Sequence, residues 1–198
     1  MPLIVVGAII VVVLIIFTAM GWDNIAADLN YQYLDSYDEA TNSASVSWYI
    51  GRSSNITIPS KIYDVNITSI GGKFAKRHPE VLESVTMNDN IVSIEEKAFS
   101  YGCENLKTIK LSNKLTKIGS DAFKGCTALE SISIPEGVTQ LNATTFSGCT
   151  ALKTVTLPDS ITSIDETAFE KCENVSITYK GNTYSYADIS KLVAAAAA

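Results

Sequence analysis

Four cysteines are the residues of this chain best suited to chemistry, because thiols form disulfides, bind metals and act as nucleophiles. They are Cys103, Cys126, Cys149 and Cys172, and they recur at equal intervals along the chain. Structural zinc sites contain short C-x2-C spacings, which this chain lacks, so no metal is expected. Cysteines on stacked coils would lie about 4.8 Å apart, within disulfide range, but parallel inward side chains fit the disulfide dihedral poorly. The pattern favours a column of buried free thiols, with bridging between coils as the alternative.

Enzyme chemistry needs further residues that the sequence does not bring together. His78 is the only histidine and lies in a loop, with no serine or cysteine placed to pair with it. The acidic pairs Glu95-Glu96 and Asp165-Glu166 have the right groups for acid–base work, but they occupy one repeated loop position and are interpreted as solvated turns. Gly71-Gly72 is a turn and no phosphate-binding loop. We therefore expect no catalytic residues, no cofactor and no small-molecule substrate.

The cysteine spacing extends to apolar residues, which is the signature of a solenoid repeat. Phenylalanines recur with the same period, apart from one extra position between the first two, and an aliphatic residue follows each cysteine at the third position. One coil reads I-x-x-I-x-x-x-A-F-x-x-C-x-x-L-x-x-I-x-L-P, and an earlier, degenerate coil contains Leu82, Val85 and Met87. The clearest columns are Phe99, Phe123, Phe146, Phe169; Leu106, Leu129, Leu152, Val175; and Ile109, Ile132, Val155.

Each coil is predicted to contain a short strand and one helical turn. The run Ser131-Ile132-Ser133-Ile134 alternates with period two, so one side faces a core, and the proline after it ends the strand. The A-F-x-x-C segment has helix-like spacing that turns its Phe and Cys inward. A single coil buries too little apolar surface to offset the ordering of its own backbone, so coils must stack. We predict parallel strands at residues 109–111, 132–134 and 155–157, stacked in one sheet.

With these columns in hand, residues 31–192 resemble the BspA-like branch of leucine-rich repeats, which is known mostly from bacterial surface proteins. The sequence predicts a right-handed leucine-rich-repeat solenoid with short parallel strands and 23-residue coils. The resemblance implies an extracellular, non-enzymatic role in adhesion or protein binding. Lys114, Gly137 and Ser160 stand where commoner leucine-rich repeats have asparagine, so no asparagine ladder is expected. The motifs that carry the resemblance are Ala122-Phe123-Lys124-Gly125-Cys126, Thr145-Phe146-Ser147-Gly148-Cys149 and Ala168-Phe169-Glu170-Lys171-Cys172.

Segments on both sides of the repeats are interpreted as caps. The first is a hairpin with strands near residues 31–34 and 45–49, and the second turns at Lys180-Gly181-Asn182 before a short helix over residues 187–193. The predicted divisions are 1–22 for an anchor helix, 23–30 for a linker, 31–64 for the N-terminal cap hairpin and the strand leading into the repeats, 65–175 for the repeats, 176–193 for the C-terminal capping hairpin and helix, and 194–198 for an uninformative alanine run.

The N-terminal segment is predicted to be a transmembrane-type helix that holds the chain in a membrane through residues 3–20. Residues 2–22 contain no charge, and roughly 20 apolar residues at about 1.5 Å each span a bilayer core of about 30 Å. A cleaved signal peptide is the alternative, but nothing basic precedes the apolar run and Ala19-Met20-Gly21 matches a cleavage site weakly. Charge leaves the orientation open, because the first basic residue is Arg52. The resemblance places the repeat domain outside the cell.

Hydroxyl side chains dominate the solvent side of the predicted strands. They satisfy β-propensity on a solvated strand, and they also suit a protein-binding face of low specificity. Aromatic platforms are missing, which disfavours a carbohydrate site. The candidate face consists of Thr108, Lys110, Ser131, Ser133, Thr154 and Thr156.

Charge distribution argues against nucleic acid as a partner. Residues 52–198 carry 15 basic and 16 acidic groups, so they offer no basic excess for phosphates. One coil is rich in lysine, but Glu104, Asp121 and Glu130 partly offset it, and we interpret it as a solvated surface. Its lysines are Lys107, Lys110, Lys114, Lys117 and Lys124.

Two functions remain in consideration, both with a protein or further copies of the chain as partner. The first is a membrane-anchored module, displayed on the cell surface, for adhesion or protein–protein interaction. The alternative is a structural subunit of an extracellular filament or membrane complex, assembled by packing of the N-terminal helices.

Overall fold

The computed structural model describes residues 31–49, 53–62, 64–75, 81–100 and 103–198. These residues form a solenoid in which each coil contributes one strand to each of two sides and a turn to a third. The predicted anchor, linker and His78 lie outside the described residues. In the described part, no helix is long and apolar enough to cross a bilayer.

The side that carries the candidate face contains two separate sheets of parallel repeat strands. In each three-residue strand the central side chain is buried and its two neighbours point away from the core, as period-two alternation predicts. The first sheet consists of β3, Asn55–Thr57, β6, Ser84–Thr86, and β8, Thr108–Lys110. The second consists of β10, Ser131–Ser133, β12, Thr154–Thr156, β14, Ser176–Tyr179, and the antiparallel edge strand β15, Asn182–Ser185.

These strands correct the prediction in two respects. Each lies one residue earlier than expected, and the last apolar residue of the run, such as Leu111 or Ile134, follows the strand with its side chain buried in the core. The predicted pairing of β10 with β12 is confirmed, with Ser131 opposite Thr154 and Ser133 opposite Thr156. The expectation of one continuous sheet is wrong, since β8 and β10 belong to different sheets.

The second side of the described solenoid consists of five repeat strands and is divided into two sheets in the same way. Three strands run parallel in one sheet and the last two form a separate parallel pair, with the break again between two successive coils. The bounds are β5, Val65–Ile70, β7, Ser93–Ile94, β9, Lys117–Ile118, β11, Gln140–Leu141, and β13, Ser163–Ile164.

An antiparallel hairpin, β1, Tyr31–Asp38, and β2, Ser43–Tyr49, lies at the N-terminal end of the described solenoid. Strand β2 continues the second side by pairing in parallel with β5, and β4, Lys61–Ile62, flanks β5 antiparallel. Both hairpin strands are longer than predicted. The turn between them is tight because the Asp38 carboxylate accepts hydrogen bonds from the Ala40 amide at 3.0 Å and the Thr41 hydroxyl at 2.7 Å.

A hairpin and a short helix cover the C-terminal end. Strands β14 and β15 are joined by Lys180 and Gly181, whose φ angles of 45° and 73° are both positive, as a type I′ turn requires. After a 3₁₀ turn at Tyr186–Asp188, helix α1, Ile189–Ala196, starts two residues later than the predicted helix. It extends into the alanine run that the sequence analysis treats as uninformative, and it buries Leu192 and Ala196.

The core is built around a column of stacked aromatic rings. Successive phenylalanine rings lie 5.3–5.5 Å apart, and Tyr49 of the N-terminal hairpin adds one ring at 6.2 Å. The five phenylalanines of this column have no exposed surface, so each coil contributes one ring that its neighbours cover. The column consists of Phe74, Phe99, Phe123, Phe146 and Phe169.

Candidate functional site

The six residues of the candidate face are all exposed, on strands β8, β10 and β12. They form two parallel columns, because the first and third residue of each strand point outward while Ile109, Ile132 and Val155 are buried. The same two columns continue on other strands, which the sequence analysis did not include in the face. The repeat alignment alone would have identified the further positions, which are Asn55, Thr57, Ser84, Thr86, Ser176 and Thr178.

None of the six side chains forms a hydrogen bond or ion pair within the described part of the chain. The five hydroxyls therefore present both donors and acceptors to solvent. Lys110 is the one charged residue in the two columns as far as the structure describes them, and it has no carboxylate partner there. The face is thus polar, nearly uncharged and available for intermolecular hydrogen bonds.

Hydroxyls elsewhere on the solenoid are used differently. The Thr116 hydroxyl donates to the Val92 carbonyl at 3.1 Å, and Thr162 donates to Thr139 in the same way at 3.2 Å. In the turns, Thr127 donates to the Glu104 carbonyl at 3.2 Å. These hydroxyls bind the backbone of the preceding coil and stabilise the stack. The five hydroxyls of the candidate face form no such bond to a neighbouring coil within the described residues.

A row of charged residues borders the face, directly before the first outward position of each strand. Glu83 binds Lys107 at 2.9 Å and Glu130 binds Lys153 at 3.2 Å, each pair joining two successive coils. Both pairs are largely exposed, so each stabilises the fold by at most about 1 kcal/mol. They also neutralise the border of the face, which leaves Lys110 as its main charge.

The lysine-rich coil is only partly neutralised, and of the three carboxylates predicted to offset it only Asp121 pairs with one of its lysines in the described part of the chain. Lys107 pairs with Glu83, Lys117 pairs with Glu95 at 2.8 Å, and Lys124 pairs with Asp121 at 3.0 Å. Lys110 and Lys114 have no ion pair among the described residues. All five lysines are exposed, which agrees with interpreting this coil as a solvated surface.

Glu95, from one of the predicted acidic pairs, is part of a hydrogen-bond network and not a solvated turn residue. One carboxylate oxygen accepts from Ser93 at 2.8 Å and Ser69 at 3.4 Å, and the other accepts from Lys117 at 2.8 Å. Burial raises the pKa of Glu95, but these hydrogen bonds and the Lys117 charge outweigh it and lower the pKa overall. A carboxylate that is stabilised in its charged form is a weak base, so this network is structural.

The four cysteines are buried free thiols, as the spacing predicts. Cys149 and Cys172 each donate to the carbonyl of the phenylalanine in the preceding coil, Phe123 and Phe146, at 3.1 Å. Burial raises the pKa of Cys103 to about 12 and that of Cys172 to about 11. Nucleophilic chemistry needs the thiolate, which is scarce at neutral pH under these conditions. In the described ranges, no cluster of three or more His, Cys, Asp or Glu residues could hold a metal ion.

Comparison with known sequences identifies the repeat. The family described as BspA type Leucine rich repeat region matches residues 68–189 in six copies. The matched segment covers more than half of the chain. No curated protein matches the chain significantly.

Solved structures share the same architecture. A T. pallidum leucine rich repeat protein superimposes with a TM-score of 0.69 at 26% identity, covering 75% of this chain and 68% of its own length. A leucine rich cell surface protein of Faecalibacterium prausnitzii gives a TM-score of 0.53 at 30% identity, covering 76% of this chain. A leucine-rich repeat protein of Bacteroides capillosus gives 0.52 at 31% identity, covering 59% of this chain and 87% of its own. This chain spans only 55% of the Faecalibacterium protein.

The family match begins within β5 and ends at the start of α1, so it includes all three strands of the candidate face. The phenylalanine column, the cysteine column and the parallel strands are what that family's repeat requires of a stacked solenoid. The chain belongs to the BspA-type leucine-rich repeat family.

Proposed function

We propose that the chain is a protein-binding module, displayed on the cell surface and held there by its N-terminal hydrophobic segment. Membership of the family supports a role in protein–protein interaction, and the Faecalibacterium relative is described as a cell surface protein. The observation that carries the proposal is the contrast between the two strand sides. On the second side, the hydroxyls of Thr116 and Thr162 bind the neighbouring coil, whereas all five hydroxyls of the candidate face have no partner within the described residues.

The chemistry of the face defines the kind of contact it makes. Five hydroxyls and one ammonium group suit the polar part of another protein's surface, in which backbone and side-chain donors and acceptors alternate. The six residues include no Trp, Tyr or Arg, the residue types that dominate tight interfaces. We therefore expect adhesion of modest affinity that depends on many weak contacts, with Lys110 placed to meet a carboxylate or carbonyl of the partner.

Site-specific photo-crosslinking on intact cells that display the full chain tests this proposal. A photoreactive residue replaces Ser133 or Thr156 on the face, and Thr139 serves as the matched control, an exposed hydroxyl residue on the second side. We expect the same partner protein to be captured from both face positions and not from the control. Equal capture at Thr139, or no capture from the face, would contradict the assignment.

A further inference from the structure

The boundary between the coil with Lys110 and the coil with Ser133 lacks backbone hydrogen bonds that other boundaries have. The amide that follows a face strand donates to the next coil from Met87 to Lys110, from Ile134 to Thr156 and from Leu157 to Thr178, each at 2.9 Å. The equivalent bond from the Leu111 amide to the Ser133 carbonyl is missing among the described residues. Strands β8 and β10 are therefore neighbours without a ladder.

One backbone bond remains on the face side of this boundary, just before the strands, and it is long. The Glu130 amide donates to the Lys107 carbonyl at 3.4 Å. The equivalent bonds of the neighbouring boundaries, from Lys107 to Glu83 and from Lys153 to Glu130, are both 2.9 Å. The contact just before the strands is therefore weak here, and the next backbone bond lies in the preceding turn, where the Ala128 amide donates to the Glu104 carbonyl at 3.0 Å.

The second side is interrupted at the same boundary. The Gly119 amide donates to Ile94 at 2.8 Å and the Asp165 amide donates to Leu141 at 2.9 Å. Between them, in the described chain, the Asn142 amide makes no such bond to the Ile118 carbonyl. The side chain of Asn142 takes its place and donates to that carbonyl at 2.5 Å.

Backbone contacts on the third side continue without interruption. The Phe123 amide donates to Thr145 at 2.9 Å and the Gly125 amide donates to Ser147 at 2.8 Å. The rings of Phe123 and Phe146 are stacked 5.4 Å apart, with only 3° between their planes. The boundary is therefore well bonded along the turns and weakly bonded along both strand sides.

A change of coil length coincides with this boundary. The coils from Ile70 to Ile94 and from Ile94 to Ile118 are equal in length, and each is longer by a single position than the two coils that follow. Those later coils, from Ile118 to Leu141 and from Leu141 to Ile164, are again equal. The two stacks on either side therefore have different repeat lengths.

We propose that the solenoid is two rigid stacks joined by a hinge at this boundary. The stacked rings and turn hydrogen bonds of the third side form the axis, and the two strand sides open and close around it. Asn142 acts as a tether because its side chain bridges the second side. Two residues of the candidate face, Thr108 and Lys110, lie on the first stack, and its four other residues lie on the second stack. Opening of the hinge changes the distance between these two groups. This last consequence rests on the proposed binding function, whereas the hinge does not.

Hydrogen exchange of the full chain, resolved to single amides, tests the hinge directly. The Leu111 amide should exchange at least about tenfold faster than its counterparts Met87 and Ile134, because local opening requires no ladder bond to break. The amides of Thr116 and Thr162 donate to backbone carbonyls on the second side, so their exchange rates should resemble that of the Met87 amide. Equal protection at Leu111 and Ile134 would overturn the proposal.

A disulfide across the boundary distinguishes a hinge motion from a static structure in which the Leu111 amide lacks a hydrogen bond. Thr108→Cys with Ser131→Cys places a bridge across the boundary, and Ser131→Cys with Thr154→Cys is the matched control within one stack. Oxidation of the first pair should slow exchange at the Glu130 amide, whose bond to the Lys107 carbonyl breaks when the hinge opens, while the control pair leaves that exchange unchanged. Unchanged exchange at Glu130 in the bridged protein would overturn the hinge and would leave the crosslinking result for the face unaffected.

Discussion

One turn position, directly before each of the last three cysteines, determines local backbone strain. Gly125 and Gly148 have φ angles of 77° and 76°, and Lys171 occupies the same position in the next coil at 64°. An L-residue in the left-handed region costs about 1–2 kcal/mol, part of which glycine recovers at the expense of greater chain entropy. At this position the last repeat therefore carries strain that its two neighbours avoid, although Asp121 and Thr144 of those repeats have positive φ angles elsewhere in the turn.

Replacing Lys171 with glycine should raise the free energy of unfolding by roughly 0.5–1 kcal/mol, since it removes this strain. Urea titration followed by circular dichroism measures the change. Gly125→Ala is the matched control in the opposite direction, because the added Cβ would meet no atom within 4 Å and the loss would be conformational alone. A Lys171→Gly protein less stable than the parent would contradict the argument.

The four thiols should resist alkylation in the folded protein. Burial raises the pKa of Cys103 and Cys172 to about 12 and 11, so the reactive thiolate is rare at pH 8. We expect intact-mass analysis after iodoacetamide treatment to show no adducts in buffer and four adducts in denaturant. Two native disulfides, or rapid labelling without denaturant, would disprove the column of free thiols.

At the scale of the repeat element, stability depends on the ring column. Phe146 has no exposed surface and stacks on Phe123 at 5.4 Å and Phe169 at 5.5 Å. Phe146→Ala should lower the free energy of unfolding by about 3–5 kcal/mol, because it leaves a cavity between two rings. Thr139→Ala, on an exposed strand position, should change stability by less than about 0.5 kcal/mol in the same thermal melts. Similar melting temperatures for the two variants would contradict the packing described for the column.

The sequence predicts these elements to the extent that side-chain alternation encodes them. Outward hydroxyls such as Ser131 and Ser133 and the buried Ile132 between them follow from period two alone. The break between β8 and β10 could not be predicted from this alternation, because it concerns backbone hydrogen bonds. The buried column that contains Ile109 and Ile132 continues across it. The hydrogen bond from the Asn142 side chain to the Ile118 carbonyl could not be predicted from the sequence either, since an asparagine in a loop usually indicates a turn.

At the scale of the whole molecule, the proposed function depends on the predicted anchor, whose composition bears on how it would assemble. Residues 3–20 are rich in Val and Ile, and Gly7 and Ala8 are not repeated at the four-residue offsets that let helices approach closely in lipid. That composition disfavours a tight dimer in the bilayer. It does not disfavour a water-excluded filament core, where burial of about eighteen apolar side chains would supply tens of kcal/mol per subunit.

A version of the chain that begins at Asp28 should therefore be a soluble, folded monomer, because it retains the described solenoid and loses the apolar segment. The full chain should partition with membranes or form large assemblies. Analytical ultracentrifugation of the shortened chain and flotation of the full chain with lipid vesicles measure the two outcomes. If the full chain floats with the lipid vesicles and remains monomeric, the anchored module is favoured. If it forms large particles without lipid, the filament subunit is favoured. If the shortened chain still forms the same particles, the faces of the solenoid drive assembly, and neither the anchor nor a monomeric binding face accounts for the behaviour of the protein.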